Sequence, residues 1–476
     1  MNLQFLSKAF RNELFSKIVL IYALYKCTFF LFSLLQHPIV YNSTLKKITH
    51  TYVRDAVIRE NVWKVDQPYY YRDLHNSSRW DAAHYLGIRD NYYEGNDFKY
   101  AFFPLFPLIW KISHLDILRV RLLNFLLFGI SILILSGVFL NKQTTTLLER
   151  YIVLTLSVVV PPIVMYYLPY AEATFAVTFA LAVYGLIKNK YWLFFISMVL
   201  FAMSRPVFMI VGLSFVAVDI FYFIKHRNVI HFLKELSLKL LPLLLGTFIV
   251  FYMYYLSSGS FFMYFDSLKG WNMTFSIPKA LSDWSIEGFG MNVFARFFLV
   301  LPSISILVND FIRMMRSHKT PEPPSVFKGD INFIREYFFH NSIAYFWGVF
   351  LFVIFFQGGS LNGLHRYVIT SPFFCIFIYH AYEYTKQVQL NKFLVVFILL
   401  FIASVFLLTG VPHFEPELNF YDSGFFCLLL TLIYFFTFRF MNNFLKIGLL
   451  LLLISYNILW ITFLYNIFLC DGPIYT

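Results

Sequence analysis

Charge is scarce in this chain. Only 13% of its 476 residues are Asp, Glu, Lys or Arg, about half the share of a soluble globular chain, so an ordinary water-facing surface is excluded. Cysteine is sparser still. Of the four, Cys27, Cys375 and Cys427 fall inside apolar runs and Cys470 lies near the C-terminus, which is neither a disulfide framework nor a zinc spacing. No glycine-rich phosphate loop, Ser-His-Asp arrangement or dinucleotide fingerprint occurs. No His-Asp or His-Glu set stands at metal-ligand spacing, since Asp81 and His84 supply only two candidate ligands, and no internal repeat is present.

What fills the space is apolar. Hydrophobic residues make up 59% of the chain and aromatic ones 21%, and runs of about 20 apolar residues recur along it. The expectation is an all-α polytopic membrane protein of about 11–13 transmembrane helices, forming a single domain over 1–476. Candidate spans lie near 14–36, 117–139, 151–167, 173–187, 191–203, 206–223, 237–256, 291–312, 341–357, 367–382, 393–410, 424–438 and 447–468. The first follows Lys8, Arg11 and Lys17, is too long for a signal-peptide core and lacks a small-residue cleavage site, so it reads as an uncleaved anchor.

The net charge of +12 does not point to nucleic acid, because the positive residues sit in short segments between apolar runs. Placing the N-terminus in the cytoplasm puts Lys142 with Arg150, Lys188 with Lys190, Lys225 with Arg227, Arg313 with Arg316 and Lys319, Lys386 with Lys392, and Arg439 with Lys446 on the inner side. Every cytoplasmic connection is then basic. A large first extracytoplasmic loop (37–100), a second (257–290) and a proline-rich cytoplasmic linker (313–340) remain.

This topology collects the ionisable residues near span ends on the outer side: Asp81, His84, Glu172, Arg205, Asp266, Lys269, His365, Arg366, His413, Glu415 and Glu417. Ionisable groups at membrane depth are costly and mark substrate paths. Both signs near one interface suit a ligand with an anionic head and a lipid tail. In "SRWDAAHYL" (Ser78 to Leu86), a helix puts Asp81 and His84 on one face, with Trp80 and Tyr85 at the interfacial belt. A carboxylate there can deprotonate an acceptor hydroxyl; the plainer alternative is that Asp81 caps a helix or pairs with Arg79. The two prolines of "YAFFPLFPL" (Tyr100 to Leu108) keep a regular helix from starting before Pro104, and its aromatics form a wall for an isoprenoid chain or simple interfacial packing. Arg205, beside Pro206, is either a snorkelling residue or a buried phosphate contact.

"SRWDAAHYLGIRDNYYEG" followed by "YAFFPLFPL" resembles the signature of the GPI mannosyltransferase 2 (PIG-V) family, and "YLPYAEATFAVTFAL" and "MSRPVFMIVGL" resemble its middle spans. "FFMYFDSLKGWN" and "LHRYVITSPFF" are similar to its prokaryotic members. The resemblance implies a GT-C-like bundle whose active site faces away from the cytoplasm. It also implies a polyprenyl-phosphate mannose donor, a glycolipid or other glycan acceptor, no cofactor and no nucleic acid. Asp81 would be the general base; Arg205, Lys269, His365 or Arg366 would steady the departing lipid phosphate. His84 and Glu172 would position the sugar, and Arg79 and Trp80 would join the substrate-binding set. The bacterial inner membrane is the expected location, with the endoplasmic reticulum membrane as the alternative. A lipid-linked oligosaccharide flippase or other transporter is the competing class.

Overall fold

The computed structural model describes residues 14–27, 78–94, 97–140, 145–158, 160–271, 273–277, 295–316, 323–357, 361, 363–385 and 442–469. The candidate spans at 393–410 and 424–438, together with His413, Glu415 and Glu417, lie outside the described residues. So does most of the first extracytoplasmic loop.

Every regular element among the described residues is helical. In chain order these are α1 (14–27), α2 (Asp81–Asn91), α3 (Leu105–Ser113), α4 (Ile117–Phe139), α5 (Leu147–Val158), α6 (Glu172–Ile187) and α7 (Tyr191–Ser204). They continue as α8 (Phe208–His226), α9 (Val229–Ser258), α10 (Met263–Gly270), α11 (Leu301–Arg316), α12 (Ile331–Phe356), α13 (Leu364–Ile369), α14 (Pro372–Thr385) and α15 (Asn443–Leu469). Four of them, α4, α8, α9 and α12, are long and apolar enough to cross a membrane by length and composition. The helices α6 and α7 are equally apolar but span only 16 and 14 residues, about 24 and 21 Å at 1.5 Å per residue.

The departures from the apolar runs have local causes. The run at 151–167 breaks after Val158 and resumes as a 3₁₀ turn, Pro161–Tyr167, because Pro161 and Pro162 cannot continue the helical hydrogen-bond ladder. The run at 367–382 is likewise two helices, α13 and α14, parted before Pro372. The linker expected over 313–340 is largely helical. Arg316 ends α11, and α12 starts at Ile331, where the Asp330 side chain accepts from the Asn332 amide at 2.9 Å, a helix-start cap.

The chain divides into two compact units. One comprises residues 1–79, 140–164 and 378–474, and the other 80–139, 165–377 and 475–476. In the first, the Ser157 and Tyr379 hydroxyls lie 3.1 Å apart in a buried contact. In the second, α6 packs between α4 and α7, α7 lies on α9, and α8 lies on α9 and α12. Here the core is aromatic. Tyr85, Phe106, Trp110, Ile117, Val120 and Ala171 form one buried cluster joining α2, α3, α4 and the turn before α6. Truncating a buried Phe or Trp of this kind costs about 3–5 kcal/mol.

Candidate functional site

Asp81 is the first residue of α2. Trp80 before it has φ 53°, a left-handed backbone that a bulky residue adopts at a cost of about 1–3 kcal/mol. Packing one turn later holds the helix start, where the buried Tyr85 ring meets Phe102 and Phe106 edge-on at 5.3 and 5.2 Å. Those two rings belong to the "YAFFPLFPL" stretch, whose second half forms α3 beginning at Leu105, directly after Pro104. Phe103 and Phe106 have no exposure at all, so most of this aromatic wall is spent on packing, and Phe102 stays half-buried at its edge.

Three further segments bring charge to Asp81. Glu172 opens α6, where the helix dipole favours a carboxylate. The turn before it is tied down by Asn124 of α4, whose amide donates to the Leu168 and Tyr170 carbonyls at 2.6 and 2.9 Å. Arg205 closes α7 with φ −153° and ψ 150°, the extended geometry that Pro206 imposes on the residue before it. Arg366 lies in the short α13.

The four side chains form one chain of alternating charge. The Arg366 guanidinium donates through Nη2 to Asp81 Oδ2 and through Nε to Glu172 Oε1 at 2.9 Å. Arg205 Nη1 reaches the same Glu172 oxygen at 3.2 Å. Arg366 also lies 4.9 Å from the centre of the Tyr170 ring and Arg205 5.5 Å from that of Tyr367, within cation–π range. Two carboxylates and two guanidiniums sum to zero, which is how four charges are tolerated among apolar helices. Glu172 has no exposure and the Arg205 side chain 8%, whereas the Asp81 side chain keeps 24%. The network is buried at Glu172 and accessible at Asp81. Among the described residues Glu172 Oε2 is buried without a hydrogen-bond partner.

The remaining sequence candidates are placed unequally. His84, one turn along α2, stacks on Phe102 with ring centres 4.6 Å apart. Burial lowers its pKa against the opposing pull of Asp81, and Lys99 lowers it further, so the ring is neutral near pH 7. His365 is fully buried, and burial, reinforced by Arg366, pushes its pKa down to about 3. A neutral His365 is no cation for a phosphate. For Arg366 burial works against the charge, but Asp81 and Glu172 outweigh it and raise the pKa. Lys269 is exposed and paired with Asp266 at 2.8 Å, outside the network. Trp80 is exposed and Arg79 half-buried.

Sequence reading missed two residues. Lys99 donates to the Glu94 carbonyl at 2.9 Å, a neutral partner, and is near enough to His84 to affect its pKa. Trp271 sets its ring edge-on to His84 with centres 5.5 Å apart. Lys99 directly precedes "YAFFP", and that adjacency was the available signal; nothing local marks Trp271. Among the described residues no group of three or more His, Cys, Asp or Glu is placed to hold a metal ion.

Fold and site together define a helical protein with membrane-length apolar helices and a carboxylate–guanidinium network open at Asp81. No family model, curated protein or solved structure matches the chain.

Proposed function

We propose that this chain is a membrane-embedded glycosyltransferase of the GT-C type, moving mannose from a polyprenyl-phosphate donor to a hydroxyl of a glycolipid or other glycan acceptor on the extracytoplasmic side. One observation carries the reading: Asp81, Glu172, Arg205 and Arg366, from four separate segments, meet in a single buried network whose only open carboxylate is Asp81.

In this mechanism the Asp81 carboxylate takes the acceptor hydroxyl proton as the acceptor oxygen bonds to the anomeric carbon. The bond from that carbon to the phosphate oxygen breaks, and polyprenyl phosphate leaves with the electron pair. Arg366 aims the Asp81 carboxylate through its hydrogen bond. As the proton arrives Asp81 becomes neutral, and part of the Arg366 charge is freed for the phosphate as its negative charge grows. Stabilising charge where it develops is the largest single contribution in most such reactions. Lys99, which donates to the Glu94 carbonyl, is a second cation for the phosphate.

The test is transfer by the purified protein, with a panel of polyprenyl-phosphate sugars as donors and extracted membrane lipids as acceptors. Asp81→Asn should retain donor binding and lose about 10²–10⁴-fold in transfer rate. Transfer near the wild-type rate removes Asp81 from the chemistry. Movement of intact lipid-linked sugar across a vesicle bilayer without glycosidic bond formation favours the flippase reading instead.

A further inference from the structure

Beside Asp81 the surface is built from rings. His84 lies flat on Phe102 at an interplanar angle of 12°. Trp271 meets His84, Phe98 and Phe102 edge-on, with centres 5.5, 5.6 and 6.0 Å away. The Trp271 indole N–H donates to the Phe98 carbonyl at 3.3 Å, which fixes the plane of the ring. Even so, Trp271 is 41% exposed. A large aromatic side chain that is oriented by a hydrogen bond yet left open presents a flat apolar face beside polar groups, here the Asp81 carboxylate, the neutral His84 ring and the Lys99 ammonium.

The placement depends on close approach between two distant parts of the chain. Trp271 follows α10, which packs on the 97–101 turn. A Cβ on Gly270 would stand 2.8 Å from Phe98 Cε1, so a larger residue forces either the Phe98 ring or this segment to give way. Ser267 of α10 adds a hydrogen bond to the same Phe98 carbonyl at 3.3 Å.

We infer that Trp271, with His84, forms a binding platform for a pyranose ring next to Asp81. A hexopyranose has one face of C–H groups and a rim of hydroxyls. An exposed indole matches the face, while a carboxylate, an imidazole and an ammonium match the rim, the combination of apolar wall and few placed polar groups that small-molecule sites use. A prenyl or acyl chain would strip water from the exposed sides of these three polar groups and offer no hydrogen bond in return, which is why the platform is assigned to a sugar. Its role in substrate selection rests on the transferase reading, but sugar binding is measurable without transfer.

The probes are the methyl α-glycosides of mannose, glucose and galactose, observed by saturation-transfer NMR with the purified full chain in detergent. At least one epimer should receive saturation from the protein. Trp271→Ala should weaken its binding at least tenfold, Trp271→Phe should weaken it less, and the thermal midpoint of each variant should stay near that of the wild type. Absence of saturation in every sugar with wild-type protein overturns the platform, as does equal binding by Trp271→Ala. Saturation confined to an added short-chain prenyl phosphate overturns it in favour of a lipid groove. Sugar binding without any transfer leaves the platform standing and counts against the transferase alone.

Discussion

At the scale of single residues, what distinguishes this site is how its charges are held. Arg366 divides one planar cation between two carboxylates, which a lysine ammonium, lacking the rigid fork, cannot do with the same geometry. His365 is adjacent in sequence and opposite in behaviour. It is buried beside that cation, with its pKa lowered to about 3, so the native protein holds it neutral where the unfolded chain, at about 6.5, takes up a proton. The stabilisation it gives is complete above pH 6.5 and drains away as the pH falls toward 3. The loss approaches about 1.4 kcal/mol per pH unit. Thermal midpoints of the detergent-solubilised protein between pH 7.5 and 4.5 should therefore fall less steeply for His365→Gln than for the wild type. Parallel slopes would mean that His365 does not change its protonation on unfolding.

At the scale of elements, a second charge cluster shows what burial demands of charges held between packed helices. Lys239 of α9 donates to Asp219 of α8 at 2.6 Å and lies 3.6 Å from Glu235, one turn back on its own helix. Tyr337 of α12 donates to the same Asp219 oxygen at 2.9 Å, and Ser325 donates to Glu235 at 2.5 Å. Lys239 and Asp219 retain only 2% and 7% of their side-chain exposure, so this cluster clips α8, α9 and α12 together. Removing one partner strands a charge in low dielectric, at a cost of about 3–5 kcal/mol. Lys239→Met should show that loss in denaturation. Lys239→Met with Asp219→Leu and Glu235→Gln, which removes all three charges, should recover most of it, since replacement of a whole buried ionic set is often neutral. A triple variant as unstable as the single one would show that these charges do more than hold the helices.

Elements were readable from the sequence wherever a single local rule decided them. The run at 117–139 is α4 to the residue, Pro104 stands at the start of α3, and the residue before Pro206 is extended. Reading was poorer where hydropathy averaged over a break, as at Pro161 and Pro372, or where a polar first stretch hid a helix, as in α12 from Ile331. For the site, sequence reading gathered its residues on one side of a membrane, but it had no means of ranking Arg366 above Lys269, because partner choice is settled by three-dimensional approach. Trp271 was invisible for the same reason: it meets His84 across 187 positions of the sequence.

At the scale of the whole molecule, the arrangement within the larger unit bears on how the chain sits in a membrane. The residues that the pattern of basic segments assigns to one side, Asp81, Glu172, Arg205 and Arg366, lie in mutual contact. Two segments assigned to the opposite side also meet. The His231 ring is 3.0 Å from the Pro324 carbonyl, joining the start of α9 to the proline-rich stretch before α12. From Phe208, just after the Arg205 end of α8, to His226 at the other end is about 27 Å at 1.5 Å per residue, close to the roughly 30 Å depth of a bilayer's hydrocarbon. The two contact sets therefore stand at opposite ends of a membrane-length helix. This makes orientation a measurable matter. In a background with the four native cysteines replaced by alanine, single cysteines at Asp90 and at Arg227 should respond oppositely to a membrane-impermeant maleimide applied to intact cells. Asp90→Cys should label from outside, and Arg227→Cys only after permeabilisation. The reverse pattern would place Asp81 on the cytoplasmic side, where nucleotide-activated sugars rather than lipid-linked ones are supplied, and would remove the polyprenyl-phosphate donor from the proposed reaction. Labelling of both positions in intact cells would show that α8 does not cross the membrane.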